Sequence, residues 1–259
     1  MKNIELKSMH NIRDFGGTKT LDGKIIKSKM FIRSGSLHNL SKSDLDILRS
    51  EYNLKTVIDL RTPTEVEEKP DSISNDINYY NISLLNKSVF GITHEHETQA
   101  GRSMPNMSRL YKNIVSKEHS VRALRDVLHT ICEASQNGAV LWHCSEGKDR
   151  CGIVSALFLS MLNVDRYTIY DDYMVTNETA LKKAQKYYWL TLLKKHSIEA
   201  ANAMRESLVA DEQYLQAAFD AIDDKFDGMN NYLTDVMKIT PDVTRFINDN
   251  CLKNRKNSE

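Results

Sequence analysis

The ten residues His143–Gly152 read HCSEGKDRCG and hold two of the chain's four cysteines. Cys144 and Arg150 frame a loop containing Gly147, and Glu146, Lys148 and Asp149 fill the interval between them. A thiol beside glycines and a guanidinium suits nucleophilic chemistry on an anion. A free thiol titrates at about 8.5, and a helix N-terminus with a neighbouring Arg lowers that to roughly 3.5–7.5. The field that would bind a phosphate would therefore also ionise Cys144. Arg150 offers a planar fork able to hold two phosphoryl oxygens. The expected reaction is attack of the Cys144 thiolate on phosphorus, giving a phosphocysteine that water then hydrolyses. Asp149, inside the loop, is the expected general acid and later the base that activates water. Ser145, Glu146, Gly147, Lys148, Asp149 and Arg150 would line the phosphate. Lys148 would hold the leaving oxygen or a second phosphate. A Glu146 carboxylate facing the phosphate would repel it, so it is expected to turn outward, toward Lys148 or a backbone amide.

Such a loop needs elements to hold it. Ala139–Trp142 is a short apolar run that predicts a buried strand ending at the loop, and Gly152–Leu162 is nearly all apolar, as a helix buried on most sides would be. Strand, loop and helix then place the charges where open α/β sheets bind ligands. The first amides of a helix lack intrahelical partners, and a tight turn of amides forms an anion nest. Gly147 and Gly152 supply the backbone freedom and close approach this requires. Lys55–Leu60 predicts a second buried strand and Tyr79–Leu85 a weaker one. Residues 86–106 predict a long loop or insertion. Val121–Ala134 has helical apolar spacing and is stopped by Asn137-Gly138. From Asp165 to Asn250 the pattern is helical, broken near Lys225–Gly228 and at Pro241. The expected fold is α/β, a mostly parallel central sheet flanked by helices with a helical C-terminal region. Residues 1–252 would form one domain, residues 165–210 a helical lid insertion, and 253–259 a frayed tail.

The chain of 259 residues is 41% hydrophobic and 27% charged, enough to bury one large core. Its formal net charge is zero, which gives no reason to expect nucleic acid or anionic membrane as a non-specific partner. No run of apolar residues is long enough to span a membrane, so no integral membrane contact is expected. The N-terminus carries no apolar signal-like region. Four cysteines in so long a chain read as reduced thiols, and a cytoplasmic location is expected, with export lacking a cleaved signal left open.

Further motifs widen the pattern. Asn11–Gly17 reads NIRDFGG, Phe31–Leu37 reads FIRSGSL and Asp59–Glu65 reads DLRTPTE. With the loop, these resemble the protein-tyrosine phosphatase superfamily, and more narrowly the bacterial tyrosine phosphatases whose loop reads HCxxGKDRTG. Asp172–Asn177 and the helical stretch from Tyr214 to Leu233 are similar to that family's C-terminal segments. The resemblance implies a phosphotyrosine protein phosphatase-like fold and hydrolysis of phosphotyrosine, with phosphoserine, phosphothreonine or phosphoinositides accepted by some members. It implies Cys144 as nucleophile, Arg150 as phosphate binder and Asp149 as acid, with neither metal nor cofactor. A monomer acting on phosphotyrosyl protein or phosphoinositide is expected. The chain departs from the family at Cys151, where Thr is usual. A thiol donates weakly to the departing sulfur, so slower phosphoenzyme hydrolysis is expected, by ~1–2 kcal/mol. A Cys144–Cys151 disulfide that protects the nucleophile and a buried replacement of little effect are the alternatives.

Support is expected from His143, facing away from substrate and bracing the loop. Arg13 and Asp14 are expected to form a buried pair holding the N-terminal segment. Asp59 and Arg61 divide between support of the site and plain packing. His94-Glu-His96 is too weak a spacing for a metal site. The aromatic stretch Tyr187–Leu190 with Leu192 and Leu193 is expected in the core, or else as a lid. The lysines 182, 183, 186, 194 and 195 are expected on a solvated face, with a phosphoinositide contact the lesser reading. Competing readings of the whole are a phosphoinositide phosphatase, a non-catalytic phosphate-binding module and a sulfurtransferase.

Overall fold

The computed structural model describes residues 2–85 and 106–254. Its elements run β1 (Lys2–Asn3), β2 (Arg13–Asp14), β3 (Lys24–Ile26), β4 (Phe31–Ser34), α1 (Lys42–Ser50), β5 (Leu54–Asp59), α2 (Pro63–Glu68) and β6 (Asn78–Asn81). There follow α3 (Met107–Ser116), α4 (Glu118–Ala134), β7 (Ala139–His143), α5 (Asp149–Met161), α6 (Arg166–Val175), α7 (Asn177–Lys195), α8 (Ile198–Leu208) and α9 (Glu212–Phe226). The short α10 (Met229–Asn231) leads into a π-helical turn at Tyr232–Val236, then α11 (Pro241–Cys251) and β8 (Leu252–Asn254).

Six strands form the main sheet in the order β1-β2-β4-β7-β5-β6. The four from β4 to β6 run parallel, and the two short N-terminal strands add an antiparallel edge. β7 lies in the middle and is covered on both faces. Val140 and Trp142 point into the larger core with Phe31, Ile58, Leu128 and Phe158, while Ala139 and Leu141 point into a second core with Ile32, Val57 and Leu48. A strand buried on both faces reads as a continuous apolar run, which is why β7 is legible from its residues alone. The register aligns Ser34 and Asp59 with His143, one on each side, so three strands end level at the edge where the loop begins.

Several boundaries differ from expectation. Helix α5 starts at Asp149, three residues before the apolar run, because charged residues occupy its first turn. Of the weaker strand expected over Tyr79–Leu85 only Tyr79–Asn81 pairs with β5, preceded by Asn78, which lies outside that range. Pro241 opens α11 at its first turn, where a missing N–H costs nothing. Lys253 and Asn254 are not frayed: they pair with Ile25 and Lys24 of β3. The remainder of that tail, 255–259, lies outside the described residues, as does the expected loop 86–105. Helix α6 belongs to the body, with Ile169 and Tyr173 in the larger core, so only α7 and α8 stand as a helical pair packed on each other. Among the described residues no helix is long and apolar enough to cross a membrane.

Candidate active site

The loop after β7 is pinned from outside by its carbonyls. The Cys144 carbonyl accepts from His143 Nδ1 at 3.4 Å, that of Ser145 from Ser36 N at 3.1 Å, and that of Glu146 from Asn11 Nδ2 at 2.9 Å. The Gly147 carbonyl accepts from Arg33 Nη2 at 2.6 Å, and that of Lys148 from the same nitrogen at 3.3 Å. In a planar trans peptide the N–H points opposite to the C=O. Five successive carbonyls held outward therefore turn the amides of residues 145–149 toward the other side, as an anion nest requires. Gly147 has φ +68°, and a Cβ there would come within 2.6 Å of the Ser34 carbonyl group. Gly152 is needed for a different reason: its Cβ would lie 2.9 Å from the Tyr173 ring.

Two polar networks carry those outer contacts. In the first, the buried Asp172 carboxylate accepts from Arg13 Nε at 2.7 Å and Arg33 Nη1 at 2.5 Å. Arg33 reaches the loop directly, and Arg13 holds Asn11, which reaches Glu146. Burial pushes the Asp172 carboxyl up, but the two guanidinium groups overcome it and hold it below the usual range. Arg13 and Asp14 are thus both buried but are not a pair. Neighbouring residues on a strand face opposite ways, and Asp14 accepts instead from the backbone N–H groups of Gly16 and Lys29.

The second network joins Asp59, Arg61, Asp71 and His143. Arg61 bonds both Asp59 oxygens, Asp71 at 2.8 Å, and Ser36 Oγ at 3.1 Å. His143 is fully buried, with Nε2 2.8 Å from Asp71 Oδ2. Burial lowers its pKa, but Asp59 and Asp71 outweigh that and raise it. Burial likewise pushes Asp59 up, yet His143 and Arg61 bring it to about 2. Asp59, Asp71 and His143 bring together donor atoms of a kind metals use, but the guanidinium of Arg61 already bonds both carboxylates. His94 and His96 lie outside the described residues.

Inside the loop, Cys144 is 2% exposed. Burial raises its pKa, but a hydrogen bond from the Cys151 thiol, the charge of Arg150 and the Cys151 backbone N–H together bring it down to about 5. Cys151 is pushed well above the ordinary thiol range by burial and by the neighbouring Cys144, so it stays a donor; its Sγ also lies within donating reach of the Ser34 carbonyl at 3.7 Å and the Trp142 carbonyl at 3.9 Å. All four cysteines are free thiols.

Arg150 is clasped by Glu65, Nη1 to Oε2 at 2.7 Å and Nη2 to Oε1 at 2.9 Å. Ser145 Oγ donates to the same Oε1 at 2.5 Å. Burial would raise Glu65, but Arg150 and Ser145 bring it to about 2. Glu65 sits at the third position of α2 and closes a capping box with Thr62, so the helix start that fixes it is written in the DLRTPTE segment. Arg150 Nε is buried and has no hydrogen-bond partner among the described residues. Asp149 Oδ1 accepts from Tyr111 Oη at 2.8 Å, and Tyr111 in turn meets Tyr173 Oη at 2.7 Å.

One loop side chain is not where expected, and another is turned as expected but meets a different partner. Lys148 turns away from a phosphate: its Nζ donates to the carbonyls of Ser207 at 2.6 Å and Val209 at 3.1 Å and lies 3.3 Å from Asp149. Glu146 does turn outward, but its partner is Lys183 of α7 at 2.5 Å, because Lys148 is already engaged. The aromatic stretch of α7 is not core: Trp189 is 54% and Leu193 69% exposed. Glu65, Asp71, Asp172, Arg33 and Tyr111 are the site residues that sequence reasoning missed. Glu65, Asp172 and Arg33 lay inside quoted motifs, whereas Asp71 and Tyr111 had no signal beyond their residue type.

The sequence model of the tyrosine phosphatase family matches residues 4–253. A tyrosine-protein phosphatase of Nostoc commune is 31% identical over 154 residues, which is 58% of this chain and 49% of that protein. The match thus spans about half of that relative's length. A putative tyrosine-protein phosphatase of Cupriavidus necator is 26% identical over 91% of this chain and 84% of its own length. The triple specificity protein phosphatase PtpB of Mycobacterium tuberculosis is 26% identical over 89% of this chain and 92% of its own.

Proposed function

This chain belongs to the tyrosine phosphatase family, and from that premise we propose that it hydrolyses phosphotyrosyl proteins through a phosphocysteine on Cys144. The observation that carries the reading is a cysteine held at about pKa 5 within a loop whose carbonyls are all tied outward. At neutral pH its sulfur is an anion. The loop amides and the unpaired Nε of Arg150 hold the phosphoryl oxygens, and Glu65 keeps the guanidinium aimed. The S–P bond forms as the P–O bond to the tyrosine breaks, and Asp149 gives its proton to the departing phenoxide. Water then attacks phosphorus, Asp149 takes its proton, and the S–P bond breaks to release phosphate and the thiolate. Cys151 donates to the sulfur as its charge returns. Tyr111 orients Asp149 for both steps.

Dual specificity is part of this reading, supported by the similarity to a relative named for triple specificity. A second phosphate, as on a phosphoinositide, would need the Lys148 ammonium, which is engaged with the Ser207 and Val209 carbonyls, so phosphoinositide hydrolysis is the lesser expectation. The reading includes a monomer working in a reducing compartment such as the cytoplasm, since four cysteines in a chain of this length read as thiols. The α7–α8 pair, joined to the loop through Lys183 and Lys148, is read as the cover over one side of the mouth.

The test is a panel of aryl phosphates of graded leaving-group pKa, with wild type, Cys144→Ser and Asp149→Ala. Cys144→Ser abolishes turnover on all of them. Asp149→Ala loses most on the poorest leaving groups, because these depend most on the acid. Equal losses across the panel remove Asp149 from that role, and phosphate release by Cys144→Ser at the wild-type rate overturns the mechanism.

A further inference from the structure

Six of the ten large apolar side chains exposed among the described residues lie between Leu181 and Ile198. They belong to α7 and the first residue of α8. Lys182, Lys186, Trp189 and Leu193 follow one another at spacings of four, three and four, which puts them on one stripe of the helix. All four are exposed, and the buried residues of α7, Ala184 and Thr191, lie on the opposite side. Ile198 is 65% exposed at the adjoining start of α8. Five lysines and one acidic residue, Glu178, make up the charge of α7. A formal net charge of zero for the whole chain conceals this local excess.

We propose that the outer face of α7 docks the protein on an anionic lipid bilayer surface, with Trp189, Leu193 and Ile198 entering the interface and Lys182 and Lys186 meeting the headgroups. Each part of the stripe has its match there. Tryptophan favours the depth where the hydrocarbon meets the headgroups. Lysine lays its apolar stem along the interface while its ammonium stays among anionic groups. Exposed apolar side chains set among lysines mark an interaction surface, and the one acidic neighbour of Ile198, the exposed Glu199, lies on α8 and off the lysine stripe of α7. A second copy of this chain fits poorly, because a two-fold interface sets the same patch against itself and would stack lysine stripe on lysine stripe. The docking face reaches the loop through the next lysine: Lys183 holds Glu146. The proposal stands on this surface alone and does not require Cys144 to be the nucleophile.

The experiment mixes the full chain with vesicles of phosphatidylcholine alone or with added phosphatidylglycerol, and reads cosedimentation and tryptophan emission. Trp142 is fully buried, so a shift in emission reports Trp189. Binding to the anionic vesicles with a blue shift, weakened by salt and absent with phosphatidylcholine alone, is the expected result. Lys182→Gln with Lys186→Gln lowers partitioning about thirtyfold, at about 1 kcal/mol for each basic residue near such a surface. Leu193→Ser weakens it independently, and far-UV circular dichroism confirms that the variants stay folded. No sedimentation with anionic vesicles at low ionic strength overturns the proposal, as does unchanged binding by the double lysine variant. A dimer in analytical ultracentrifugation that Leu193→Ser dissolves, or capture of soluble acidic polypeptide with no binding to vesicles, also overturns it.

Discussion

At Cys144 two opposing effects are large and one wins. Burial favours the thiol, while the Cys151 S–H, the Arg150 charge and a backbone N–H favour the thiolate, leaving the pKa at about 5. Alkylation of Cys144 by iodoacetamide is therefore expected to follow a titration with its midpoint near that value rather than near the ordinary thiol range. Cys151→Ala removes the leading stabilising donor and moves the midpoint upward, and mass spectrometry of the labelled peptide against pH reads both. An unshifted midpoint in the variant would take Cys151 out of the argument. The same contact matters in the second step, when charge returns to sulfur. A hydroxyl donates better than a thiol, so Cys151→Thr is expected to raise kcat by about tenfold, the effect of ~1–2 kcal/mol from one hydrogen bond. The rate of the p-nitrophenol burst should change far less than the steady state, because the burst reports phosphorylation of Cys144 and not its hydrolysis.

At the scale of elements, the loop is shaped by segments far from it in sequence. β2, β4 and α6 meet at Asp172, whose single carboxylate is shared between two buried guanidiniums and offsets part of their mutual repulsion. Asp172→Ala leaves both charges unpaired in the interior and is expected to cost 3–5 kcal/mol, a typical penalty of about that size for breaking a buried pair. Urea unfolding measures it. Asn11→Ala removes the bond to the Glu146 carbonyl together with the acceptor of Arg13 Nη1, at a position where φ is +53°, and is expected to cost about 2–3 kcal/mol while lowering kcat/KM, since one amide of the cradle loses its outer tie. A loss of stability with unchanged kinetics in Asn11→Ala would show that the loop holds its shape without this arm. These dependences explain what was legible. β5, β7, α4 and α5 are apolar runs with local periodicity, and the loop between β7 and α5 announces itself by unusual residue types. The partners of Arg13 and Lys148 were not legible, because side-chain pairing depends on which distant elements the sheet order brings together. Adjacency in the sequence pairs Arg13 with Asp14, yet strand alternation sends the two to opposite sides, and the partner of Arg13 is 159 residues away. The exposure of Trp189 was missed for a related reason: an aromatic run on a helix reads alike whether its face is covered or bare.

For the whole molecule, the buried charges at the loop make stability depend on pH with a sign that can be worked out. Asp59 and Glu65 both titrate at about 2 in the folded protein, below their ordinary values. Groups lowered in this way stabilise the fold above their unfolded pKa, and the benefit disappears as pH falls through the folded value. Each contributes on the order of 2–3 kcal/mol at neutral pH, so the urea midpoint should fall steadily from about pH 4.5 down to about pH 2. His143 acts in the opposite direction. Its pKa is raised, so its contribution is fully present below its unfolded value and is lost as pH climbs through the folded one. The part of the Asp59 shift that comes from His143 is the attraction that also raises His143 and counts once, whereas Arg61 adds its own share and Glu65 is independent of both. Glu65→Gln should therefore be less stable than wild type at pH 7 and nearly equal to it at pH 2, the two curves converging through the acid range. The same variant releases Arg150 from its clasp, so inorganic phosphate should inhibit it more weakly at pH 7. Parallel stability curves for the two proteins would mean that the Glu65–Arg150 contact carries no net free energy of folding, and that the clasp serves aim alone.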